Sequence, residues 1–166
     1  MSEPYPEGQD PYKNARTEID SWRGRCLDLY ARSEKAVALT LETAKQHDHP
    51  VKLRHLAGQR LDDLLSITDQ DNGTAKQKEA LARAIDGWRA IESHRVFLAH
   101  GTMKELLDRK GKWHAQFDVT TYKSNNPTPD RMMISQTEAL ELQADLEKGF
   151  KSLSAQLGQF RKRLAT

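Results

Sequence analysis

From Ile19 to Ala44 the chain carries one stripe at steps of three and four: Ile19, Trp22, Cys26, Leu29, Ser33, Val37, Leu41 and Ala44. That spacing matches the 3.6-residue helical repeat, whereas a strand alternates every second residue. It predicts one long amphipathic helix over about Asn14–Gln46, with the stripe buried. His47-Asp48-His49-Pro50 breaks the pattern, and Pro50 suits the first turn of a second helix. This second helix is expected to run to about Thr68, with Leu53, Leu56, Leu61, Leu64, Leu65 and Ile67 on its apolar side. Asp69–Gly73 reads as a turn.

Thr74 opens a third helix, and Gln77 stands three residues later as a capping box requires. Leu81, Ala84, Ile85, Trp88, Ile91, Arg95 and Leu98 share one face, and Gly101 is a natural terminator. Ser135 and Glu138 form a second capping box. The helix it opens carries Leu142, Leu146, Phe150, Leu153, Leu157, Phe160 and Leu164. Between Gly101 and Ser135 the period changes. Trp113, Ala115, Phe117 and Val119 alternate, as a half-buried strand does. With TMKELLD on the other side of Arg109-Lys110-Gly111-Lys112, this predicts a β-hairpin, and SNNPTPD after it a loop. The expected fold is mainly α: a four-to-five-helix bundle with a small β-hairpin insertion before the last helix.

At 166 residues the chain fits one domain and can bury a core without staples. Residues 1–12, MSEPYPEGQDPY, read as a flexible N-terminal arm ahead of a single helical domain at 13–166. The 26 basic and 24 acidic side chains leave a net charge of +2, which is no footprint for coating nucleic acid. The charge drifts from −2 over residues 1–50 to +3 over 101–166, which allows a local basic surface near the C-terminal end. Cys26 is the one cysteine, so neither an intrachain disulfide nor a cysteine zinc site can form. No apolar run approaches the ~20 residues that span a bilayer. The first residues lack a basic-then-apolar signal pattern, so a cytoplasmic location is expected.

Most clusters of reactive residues have ordinary readings. Asp69, Asp71 and Gly73 resemble the start of a calcium loop, but Thr74 and Ala80 stand where its glycine and glutamate belong. His47, His49 and His55 lack the i, i+4 spacing of a helical metal site. No metal and no cofactor is therefore expected. Trp22, Trp88 and Trp113 could stack bases but lie on core stripes. Arg161-Lys162-Arg163 could touch phosphate or complement a helix dipole.

An Arg can clamp phosphate with its planar fork of donors, and a nearby His can move a proton near neutral pH. The spacing Arg, four residues, His occurs three times: Arg89 to His94, Arg95 to His100, and Arg109 to His114. The middle one closes a long amphipathic helix, has apolar residues between its ends, and precedes Gly101. Arg95 also falls on the apolar face, where an unanswered charge would be costly.

The segment ESHRVFLAHG, residues 92–101, resembles the signature of the HEPN superfamily: Arg, four to six residues, then His at a helix end. The order of long helices, hairpin-like insert and closing helix is similar to the family plan. The resemblance implies a metal-independent endoribonuclease of toxin or defence type. It implies a homodimer with a shared cleft, and a cognate antitoxin protein as a possible further partner. Arg95 would hold the scissile phosphate and His100 would transfer the proton. His94, Lys104, Arg161 and Lys162 are the accompanying candidate RNA-binding residues. Val96 stands where the family usually has a polar residue, and some of its members are non-catalytic interaction modules. That second reading stays open.

Overall fold

The computed structural model describes Gly8 and residues 10–166. The first helix, α1, spans Pro11–Gln46. Pro11 fits a first helical position, where its missing N–H removes no bond. Asp10 accepts a hydrogen bond from the Tyr12 amide at 3.0 Å. Pro11 and Tyr12 therefore belong to the helix. The rest of the expected arm, apart from Gly8 and Asp10, lies outside the described residues. The predicted stripe is buried with one exchange: Tyr30 is 2% exposed and takes the place expected for Leu29. The helix ends where predicted, at Gln46, and Asp48 just beyond it takes a left-handed φ of 60° that turns the chain.

The second helix, α2, is shorter than the leucine spacing suggests, Ala57–Ile67 rather than from Pro50. Leu53 and Leu56 are about half exposed and pack no helical face. Arginine side chains bond the carbonyls of the non-helical segment. Arg60 donates to the carbonyls of Arg54 and His55. Arg54 in turn grips buried Asp63 with its Nε and Nη2.

That grip makes a prediction. The hydrogen bond from Arg54 holds the Asp63 carboxyl below the ordinary carboxylate range, against the opposing effect of burial. A carboxyl depressed in the fold stabilises it above the unfolded value, near 3.8. The contribution is lost as pH falls through the lower folded value. Urea unfolding across the acid range should show this loss in the wild type and a flatter profile in Asp63→Asn. Identical profiles would show that the pair is not stabilising.

The third helix, α3, spans Ala75–Glu92 and opens on the predicted capping box of Thr74 and Gln77. It stops at Ser93 and His94 instead of running on to Leu98. Both residues keep right-handed helical dihedrals. A separate six-residue helix follows, α4, Arg95–His100.

Beyond Gly101 the chain forms β1 (Thr102–Leu107), β2 (Trp113–Lys123) and β3 (Asn126–Ser135). They make an antiparallel sheet in the order β1-β2-β3, in which Lys104 lies opposite Gln116 and Gln116 opposite Met133. The first hairpin is as predicted. The segment read as a loop is instead a second hairpin. Ser124 and Asn125 both adopt left-handed φ, 50° and 64°, the backbone of a tight two-residue strand turn. Pro127 and Pro129 are tolerated because β3 lies at the sheet edge, where a missing N–H breaks no ladder. The last helix, α5, spans Gln136–Leu164, with the Ser135–Glu138 capping box in place.

The chain divides into two compact units. One comprises the residues up to Asp28 with His94–Ala144, and the other Leu29–Ser93 with Asp145–Thr166. In the first, Ile19, Trp22, Leu98, Ala115, Phe117 and Ala139 form a buried cluster on one face of the sheet. Trp22 stacks at a tilt on Trp113 and Phe117, with centroids about 6 Å from each. In the second, Leu41, Leu64, Ile67, Leu81, Ile85, Leu153 and Phe160 are almost wholly buried. Tyr30 meets Trp88 edge-on at 5.7 Å. No helix among the described residues is long and apolar enough to cross a membrane.

Candidate functional site

The Arg95–His100 pair occupies the two ends of α4, which packs on β2. Leu98 is fully buried beneath the helix. Arg95, at the first position, is half-buried and engaged by other groups of the protein. His100, at the last position, is exposed. Five steps of ~100° turn the two side chains ~140° apart on a regular helix. One chain therefore presents them on different flanks of α4.

The C-terminal end of α4 is held by a residue that no local signal marks, Arg23 of α1. Its Nε donates to the Leu98 carbonyl at 2.6 Å and its Nη2 to the Gly101 carbonyl at 3.0 Å. The same guanidinium lies 5.3 Å from the Phe117 ring centre. A helix leaves its last carbonyls without partners, and a cation there also answers the negative end of its dipole. Arg23 does both, and so fixes the backbone that carries His100. Only tertiary geometry reveals this role, since Arg23 is 75 residues from Leu98.

Gly101 completes the clamp. Its amide donates to the Phe97 carbonyl at 2.8 Å, and its backbone is extended rather than left-handed. A Cβ here would lie 2.4 Å from the Phe97 carbonyl oxygen and 3.0 Å from Phe117 Cβ. Gly101→Ala is expected to destabilise the protein by about 1–3 kcal/mol, the usual cost of overpacking. Thermal melting checks this, and an unchanged midpoint would show that the turn adjusts freely.

The remaining candidates divide between the units. His94 immediately precedes α4, and its carbonyl accepts from the Leu98 amide at 3.2 Å. Lys104 is exposed on β1. Arg161 and Lys162 belong to the other unit. There Arg161 donates to the Thr40 hydroxyl at 3.0 Å, while Lys162 is exposed. Their neighbour Arg163 is not a simple dipole partner. It pairs with buried Asp71 and so ties the end of α5 to the α2–α3 turn.

The other Arg-to-His spacings have structural explanations on one member each. Arg89 pairs with Asp62 at 2.6 Å. His114 lies 3.7 Å from Asp108. The Asp108 carboxyl is held below its ordinary range, first by the amide of Lys112 and then by that of Lys110. His49 sits 3.3 Å from the Leu164 carbonyl. Among the described residues no group of three or more His, Cys, Asp or Glu side chains is placed to hold a metal. A polar cleft of about 230 Å³, lined by Asn14, Glu18, Trp113 and Gln136 among others, opens on the sheet-bearing unit, and neither Arg95 nor His100 lines it.

Compared with known proteins, the chain matches no family model, no curated protein and no solved structure.

Proposed function

We propose that this chain is a metal-independent endoribonuclease of HEPN type, with Arg95 holding the scissile phosphate and His100 transferring the proton. The placement of His100 carries the reading. It is exposed at the end of α4, on backbone clamped by Arg23, five residues from Arg95. In metal-free cleavage the 2′-hydroxyl attacks the adjacent phosphorus and loses its proton, while the 5′-oxygen leaves and gains one. A positioned imidazole serves such a transfer, and a guanidinium stabilises the charge gathering on phosphate.

The ~140° offset has a consequence for assembly. Two copies related by a two-fold, with their α4 helices facing one cleft, bring one copy's Arg95 to the other's His100. The active species is then a homodimer. A cognate antitoxin protein would act by covering that cleft. The second reading, a non-catalytic interaction module, is favoured by Val96. This apolar side chain is 37% exposed beside Arg95, where HEPN enzymes usually carry a polar group.

Purified protein incubated with total RNA in EDTA should release fragments ending in 2′,3′-cyclic phosphate. Light scattering at micromolar concentration should give the mass of a dimer. Cleavage that requires an added divalent ion would refute the metal-free mechanism. A monomeric mass would remove the shared cleft. No cleavage under either condition would leave the interaction module as the function.

A further inference from the structure

The sheet has a second face that its own unit does not bury. On β2, Trp113, Ala115, Phe117 and Val119 point into the cluster under α1 and α4. The alternate residues His114, Gln116, Asp118, Thr120 and Tyr122 point the other way. By the strand register Lys104 of β1 and Arg131 and Met133 of β3 join them. Tyr122 is 76% exposed and Met133 50%. From Gln116 to Tyr122 this face runs about 20 Å, at the usual strand rise.

Its charges are unequal in kind. The acidic groups are held by neighbours. Asp118 accepts from Arg131 at 2.6 Å and from Gln116 at 2.8 Å, which keeps its carboxyl below the ordinary range. Asp108 takes the Lys110 and Lys112 amides. Glu138 takes the Ser135 amide. The cations Lys104, Arg109, Lys110, Lys112 and Lys123 are exposed on the face, in the β1–β2 turn and at the tip of the second hairpin. An exposed ring at one end, Lys104 on the face and the exposed cations of the β1–β2 turn at the other end join a stacking platform to positive charge, the pairing that single strands need.

We infer that this open sheet face binds single-stranded RNA, with Tyr122 stacking on a base and Lys104, Lys110 and Lys112 contacting phosphates. The inference deepens the ribonuclease reading and rests on it for the choice of RNA. It does not depend on the chemistry at α4. The strand would be held by the sheet and cut elsewhere, so binding and cleavage separate experimentally.

The test is fluorescence anisotropy with a labelled oligouridine of about 10 nucleotides, within the usual span of such sites. His100→Ala serves as the background, so that the probe stays intact. Tyr122→Ala should weaken binding about 5–150-fold, and Tyr122→Phe should restore it, since the ring and not the hydroxyl stacks. The triple change Lys104→Ser, Lys110→Ser and Lys112→Ser should lower the slope of log affinity against log salt by about 2. All three variants change exposed residues, and circular dichroism should confirm their folding. Wild-type affinity in folded Tyr122→Ala, or an unchanged salt slope in the lysine variant, would overturn the inference. Equal binding of duplex RNA or polyglutamate would overturn the assignment to a single strand. RNA cleavage by wild type with no Tyr122 effect on binding would sink the sheet face alone. Tyr122-dependent binding without cleavage would sink the catalytic reading alone.

Discussion

Replacing His100 with Ala should reduce RNA cleavage in EDTA by about 10²–10⁴-fold, the usual contribution of a positioned proton-transfer group. The side chain is exposed, so the substitution disturbs no packing. The backbone beneath it is held by Arg23 through main-chain carbonyls, which Ala retains. Helicity and melting temperature should therefore stay near wild type, and a lost rate would report chemistry. Arg95→Lys should also fail, because a point charge does not reproduce a planar fork on phosphate. Arg95 is half-buried and engaged within the protein, so its variant needs the melting control more than His100→Ala does. Wild-type rates in folded His100→Ala would show that the proton passes through another group. If the wild type is silent, Val96→Asn is the informative change. A gain of cleavage there would identify a site that lacks only its polar companion.

The largest stability effect is expected at Trp22. The residue is 3% exposed, and its indole Nε1 donates to the Ala139 carbonyl at 2.7 Å. It also touches both Trp113 and Phe117. Trp22→Ala removes the ring that joins α1, β2 and the start of α5. Aromatic-to-alanine changes in cores cost about 3–5 kcal/mol. For a protein of this size that corresponds to a fall of about 6–20 °C in melting temperature. Trp22→Phe should lose much less, because most of the packing remains. Calorimetry of the two variants separates ring from hydrogen bond, and a shift under about 2 °C for Trp22→Ala would mean the cluster collapses around the gap.

The parts of the fold legible in the sequence are those set by local rules. The stripe from Ile19 to Ala44, the caps at Thr74 and Ser135, and the alternation at Trp113–Val119 each need only neighbours along the chain to act. Residues 50–56 misled because Leu53 and Leu56 have helical spacing, while Arg54 and Arg60 satisfy the backbone and Asp63 by tertiary bonds. β3 was hidden because Asn and Pro are turn formers on average. An edge position removes the penalty that makes proline a strand breaker. Gly101 pointed correctly to the end of α4, yet through a close approach to Phe97 and Phe117 and not through a left-handed cap. The pair Arg95 and His100 was visible as a spacing. Its separation around the helix followed from the helical repeat, whereas the Arg23 clamp did not follow from any local pattern.

The two prolines of β3 also govern how copies of this chain can meet. A proline nitrogen offers nothing to a docking strand, so half of that rim lacks two successive donors at Pro127 and Pro129. The opposite rim, β1, keeps its amides and carries Lys104 near its middle as a deterrent charge. Fibrillar growth needs two adhesive rims on every molecule, one to receive and one to extend. With one rim blunted, open-ended growth from sheet edge to sheet edge is disfavoured.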